Sequence, residues 1–105
     1  MILVLSTFPN RELALKVAQS LVEKRLAACV HVNPAGESIY EWEGKICREE
    51  EVQLWAKTED RLWTAVRDEI STLHPFEIPQ ILGLNISNSL ATYEDWLKNT
   101  VKSSE

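Results

Sequence analysis

Two histidines and two cysteines carry most of the chemistry that this sequence could perform. His74 opens the stretch HPFEIPQI, residues 74–81, in which Pro75 and Pro79 fix the backbone on either side of Phe76 and Glu77. A loop that stiff serves either as a pocket wall or as a corner of the fold. His74 also ends a helical apolar pattern, where a protonated imidazole is favoured beside the last carbonyls, or where the ring is a cap alone. His31 stands two residues from Cys29 in the run AACVHV. Alternate residues of a strand share a face, so a thiolate and an imidazole would sit side by side there, a pairing suited to copper or zinc. The same pair also reads as a small buried hydrophobe beside a locally bonded ring. Three consecutive carboxylates follow Arg48, but neighbouring strand residues point to opposite faces, so Glu49, Glu50 and Glu51 cannot converge on one cation and read as a solvated edge.

Other chemistries find no support. None of the three glycines lies in a Gly-rich loop, which excludes a P-loop and a dinucleotide fingerprint. The net charge is −5 and the basic residues are scattered singly, so neither nucleic acid nor an anionic membrane is an expected partner. The apolar start MILVLSTF lacks a basic flank and is too short for a signal segment or a membrane span. Cys29 and Cys47 match no zinc spacing, and in a chain without an export signal they are expected as free thiols in the cytoplasm. With 105 residues, 45% of them hydrophobic, a single domain over 1–105 can build its own core without a metal or disulfides.

The elements that must position these residues follow from apolar periodicity. Residues 2–7 read as a strand buried on both faces. Asn10 caps a helix from Arg11 to about Leu26, and AACVHV is a second strand. Residues 38–57 form a long hairpin around a turn of Glu43, Gly44 and Lys45, with strand character from SIYEW and EVQLWAKT. A helix over 60–73, a strand in IPQILGLNI broken near Gly83, and a closing helix over 90–101 complete the order β-α-β-β-α-β plus a terminal helix. That order predicts an α+β, ferredoxin-like split βαβ sandwich with a long β-hairpin and a C-terminal helix. Both crossover helices cover one face of the sheet. The strands are nevertheless apolar on both alternations, with Leu3 and Leu5 against Ile2 and Val4, and Trp55 against Leu54. The exposed face therefore needs a cover: in part the terminal helix, in part another copy of the chain, with Tyr40, Trp42 and Trp55 as interface anchors.

In order and across nearly the whole chain, EKRLAACVHVNPAGESIYEWEGK, KTED, HPFEIPQI and YEDWL resemble the CutA family, the divalent-cation tolerance proteins. RLAACV, the run Ser38-x-Tyr40-x-Trp42-x-Gly44 and the HP-plus-aromatic motif carry the resemblance most strongly. It implies a tight homotrimer related in architecture to the PII signalling proteins, with the hairpin making sheet contacts between subunits. It also implies a role in tolerance of copper and other divalent metals, and no enzymatic activity. The copper site that the resemblance implies comes from a cysteine at the end of the first strand, the histidine of the HP motif and a glutamate after its second proline. Here those positions hold Ser6, His74 and Gln80, and Phe76 replaces the usual tyrosine.

Ser and Gln are poor copper ligands, so metal held by His74 is expected to be weak, with Cys29 and His31 as the alternative site. No cofactor is obligatory; Cu(II) or another divalent ion is the one suggested. A second function class is a PII-like sensor that binds a small molecule in a cleft between subunits, with Lys57, His74, Tyr93 and Trp96 along its wall. Acylphosphatases share the fold class, but they rely on an arginine in a glycine-containing loop after the first strand, and STFPNREL has no glycine there.

Overall fold

In the computed structural model, which describes residues 1–103, three helices and five strands follow in the order β-α-β-β-β-α-β-α, one strand more than expected because the second is divided in two before the hairpin turn. Strand β1 (Ile2–Phe8) lies antiparallel between β4 (Lys45–Thr58) and β5 (Ile81–Asn85). Strand β2 (Cys29–Val32) pairs with β4 on its far side, giving the order β2-β4-β1-β5. Strand β3 (Gly36–Trp42) pairs with the first half of β4. β4 is thus the spine of the molecule: one half completes the sheet and the other carries the hairpin. β2 and β3 are two segments along one side of it, interrupted around Pro34, which has no N–H to give to a ladder. At the hairpin tip Glu43 and Gly44 both have positive φ, 50° and 78°, the signature of a two-residue turn whose twist matches that of the strands.

The helix-covered face is the core. Ile2, Val4 and Phe8 of β1 and Val52, Leu54 and Ala56 of β4 meet Ala14, Val17 and Leu21 of helix α1 (Arg11–Glu23) and Val66 and Ile70 of helix α2 (Trp63–Leu73). Each large aliphatic side chain buried there contributes about 1.5–3 kcal/mol relative to exposure. Asn10 caps α1, its Oδ1 accepting from the Leu13 N–H at 2.8 Å. The helix stops at Glu23, short of Leu26, because Arg25 turns left-handed (φ 56°) and the Leu26 N–H reaches back to the Leu21 carbonyl at 2.9 Å. A 3-10 turn over Asp60–Leu62 precedes α2.

Gly83 does not break β5. It pairs in register with Val4, and a Cβ there would lie 3.1 Å from Cζ3 of Trp63. The glycine marks a close approach of an indole ring to the strand.

The second face of the sheet is apolar, as expected. It displays Leu3 and Leu5 of β1, with Trp55, Leu82 and Leu84 exposed by 36%, 47% and 45%. Helix α3 (Ala91–Thr100) does not spread over these residues. Its Leu97, with Val101 just beyond it, packs on Met1, Ala28, Leu62 and Tyr93 in a separate cluster where β1 begins and β4 ends. Leu90, expected on the same stripe, is exposed. Of the expected tail KSSE, the last two residues lie outside the described residues.

Candidate functional site

His74 follows α2 with the extended backbone that a residue before proline prefers. Its ring is 8% exposed, stacked on Phe8 at 4.7 Å between centroids and tilted against Phe76 at 4.8 Å. Nε2 lies 2.7 Å from the Thr7 carbonyl, and Nδ1 accepts the Phe76 N–H at 3.2 Å. A carbonyl on one side and an N–H on the other assign the neutral tautomer with the proton on Nε2. His74 stands at the C-cap of α2, and its ring reaches across to β1.

At the end of β1 two of the three positions of the implied copper site, Ser6 and Gln80, are bonded to each other, while His74 bonds the backbone of Thr7 beside them. Ser6, fully buried, donates to the Gln80 carbonyl at 2.7 Å, and the Thr7 hydroxyl meets Gln80 Oε1 at 3.4 Å. These groups spend their bonding capacity on one another. Among the described residues no buried side-chain nitrogen or oxygen lacks a hydrogen-bond partner, and no group of three or more His, Cys, Asp or Glu is placed to hold a metal ion. A copper ion does not fit this set, because the Nδ1 lone pair faces the Phe76 N–H and the other two positions offer a hydroxyl and an amide.

Cys29 and His31 share the second face of the sheet, as their spacing predicts, opposite Lys57 and Trp55 respectively. The thiol is half-buried and the imidazole exposed. They bring two donors to this edge, and among the described residues no third His, Cys, Asp or Glu joins them.

Lys57, His74, Tyr93 and Trp96 are not gathered within one chain. His74 sits by Phe8, at the end of β1, whereas Tyr93 packs beside Met1 at its start and stands 5.5 Å from Trp96 between ring centroids. Lys57 pairs with Leu3. Seven strand residues at roughly 3.3 Å each separate the two ends. A wall made of all four requires more than one copy of the chain.

The concave feature that the chain does form was not anticipated. A groove of about 830 Å³ runs between the hairpin, which contributes Tyr40, Trp42, Glu49 and Glu51, and the loop bearing Phe76 and Glu77. The two-residue turn sets this arrangement. It pairs Tyr40 with Cys47 and Ser38 with Glu49, so the acidic run divides by face. Glu49 and Glu51 line the groove, while Arg48, on the other alternation, bonds Glu37 at 3.1 Å. The Glu49 carboxylate beside the Tyr40 phenol, as hydrogen-bond acceptor and as negative charge, holds that phenol above its usual range. The sequence signal was present in the alternation Ser38, Tyr40, Trp42 against Cys47, Glu49, Glu51, once the turn residues fixed the register.

An antiparallel split βαβ sheet with both crossover helices on one face, extended by a long hairpin beside a stiff His-Pro loop, defines a ferredoxin-like protein of the PII-like kind. Residues 2–100 match the family described as CutA1 divalent ion tolerance protein, and the chain belongs to that family. The divalent-cation tolerance protein CutA of Thermotoga maritima is 41% identical over 101 residues, 96% of this chain and 99% of the relative. The chloroplastic protein CutA of Arabidopsis thaliana is 39% identical over 101 residues, which cover 96% of this chain and 56% of that longer protein. The chain thus spans about half the length of the plant relative. The crystal structure of CutA1 from Shewanella sp. SIB1 superimposes with a TM-score of 0.95 at 34% identity, covering 97% of this chain and 95% of that one.

Proposed function

We propose that the chain works as a homotrimer in divalent-metal tolerance, without enzymatic activity, in the cytoplasm. The observation that carries the assembly is the apolar second face of the sheet, Leu3, Leu5, Trp55, Leu82 and Leu84, with Tyr40 and Trp42 exposed on the hairpin beyond Gln53, Glu51 and Glu49. Exposed aromatic and aliphatic side chains on one sheet face are what an interface core is made of. Family membership supports the metal-tolerance role. Among the described residues no helix is long and apolar enough to cross a membrane.

Metal binding in this reading is weak and does not use the knot at the end of β1. Calorimetric titration with Cu(II) is expected to give micromolar or weaker affinity for the wild type. Ser6→Ala leaves it unchanged, and Cys29→Ala lowers whatever binding there is. A tight site of one ion per subunit that His74→Ala abolishes would overturn this assignment.

A second reading is favoured by the groove. Its aromatic walls and the carboxylates of Glu49, Glu51 and Glu77 suit a small cationic molecule. A thermal-shift screen of metal-free protein against metals and metabolites separates the two readings: stabilisation by an organic cation, and by no metal, favours the sensor.

A further inference from the structure

Arg25 occupies a position made for glycine. It follows the end of α1 with φ 56°, in a closure whose N–H groups return to Val22 and Leu21, and a left-handed residue there is most often glycine. An unfavourable backbone conformation persists where the surroundings over-determine it, and points to a role for the residue held in it. The role lies 75 residues along the chain. Arg25 Nε donates to the Thr100 carbonyl at 3.0 Å and Nη2 to the Val101 carbonyl at 3.3 Å, while the Arg25 carbonyl accepts the Lys102 N–H at 2.8 Å. A second arginine, Arg61, donates to the Lys102 carbonyl at 2.6 Å and is itself braced by Glu59 at 2.6 Å.

These contacts satisfy carbonyls that the end of a helix leaves without partners, and they place positive charge at the negative end of its dipole. They also compensate for a shallow seat. Within α3 itself only Leu97 is fully buried, with Val101 just after it, whereas Tyr93 and Trp96 remain partly or largely exposed.

We propose that α3 is a strap across the end of the sheet, with Arg25 as its latch. The guanidinium and carbonyl of Arg25 fasten the last turn of α3, so that the helix holds Tyr93 and Trp96 in place and covers Met1, Ala28 and Leu62. Opening of the latch frees α3 as a unit while α1 and the sheet stay folded. Such partial openings are the low-free-energy end of native-state fluctuations.

Hydrogen exchange followed by mass spectrometry on the full chain in its native assembly tests this, because two roles of Arg25 make opposite predictions for Arg25→Gly. Glycine relieves the left-handed backbone, so a residue that served the turn alone would leave α3 unchanged and slow exchange in the last turn of α1. A latch predicts the reverse: exchange in segments covering 97–102 rises by about tenfold or more, with β1, β4 and α1 unchanged. Arg25→Lys keeps the charge but not the two-armed donor, and is expected to show the same selective rise. Wild-type exchange over 97–102 in both variants would overturn the proposal, as would an even rise along the whole chain.

Discussion

An imidazole with a carbonyl at one nitrogen and an N–H at the other is a splint, and His74 joins β1 to the 75–80 loop in that way. Its residue type and its place at a helix end are legible in the sequence. What stayed hidden was the direction of the bonds. Thr7 lies 67 positions away, and no local pattern reports which backbone carbonyl a ring nitrogen will find. The consequence is a stability role. His74→Ala leaves the Phe76 N–H and the Thr7 carbonyl without their partner, at a cost of about 1–3 kcal/mol that denaturant unfolding would measure. An unchanged midpoint, with metal binding lost, would instead mark the residue as a ligand.

At the scale of elements, periodicity located every helix and strand, but it missed boundaries wherever a long-range contact intervened. The apolar repeat of α1 continues to Leu26, yet the helix ends earlier, where Arg25 turns towards α3. Gly83 looked like a break in β5 because the indole that covers it comes from α2, twenty positions earlier. The contact between the two crossover helices was likewise invisible: Glu69 of α2 accepts from Ser20 at 2.6 Å and from Lys24 at 2.8 Å, beside α1. The Lys24 hydrogen bond, then that of Ser20, lowers the Glu69 pKa from its ordinary value of 4.5. A depressed carboxylate stabilises the fold above its unfolded pKa, and that contribution is lost as pH falls through the folded value. Glu69→Gln should therefore cost up to about 1 kcal/mol at pH 7, the exposed Lys24 limiting the effect, and less at pH 3. Thermal unfolding of both proteins at the two pH values checks the sign.

For the whole molecule, two-phase apolar strands announced a sheet with more hydrophobic surface than its helices cover, and the fold contains such a face. The residues around it were less legible. Tyr40, Trp42 and Trp55 share one alternation, and the register keeps them on one side of the strands. No local pattern reports which end of β1 Lys57, His74, Tyr93 and Trp96 each occupy, and they fall at opposite ends. The groove escaped notice because it lies between a hairpin and a loop that are distant in sequence. If the open face is an interface, sedimentation equilibrium at micromolar concentration reveals it. A single species with three times the mass of the chain is predicted; a monomer, with Leu82, Leu84 and Trp55 left in water, would contradict it.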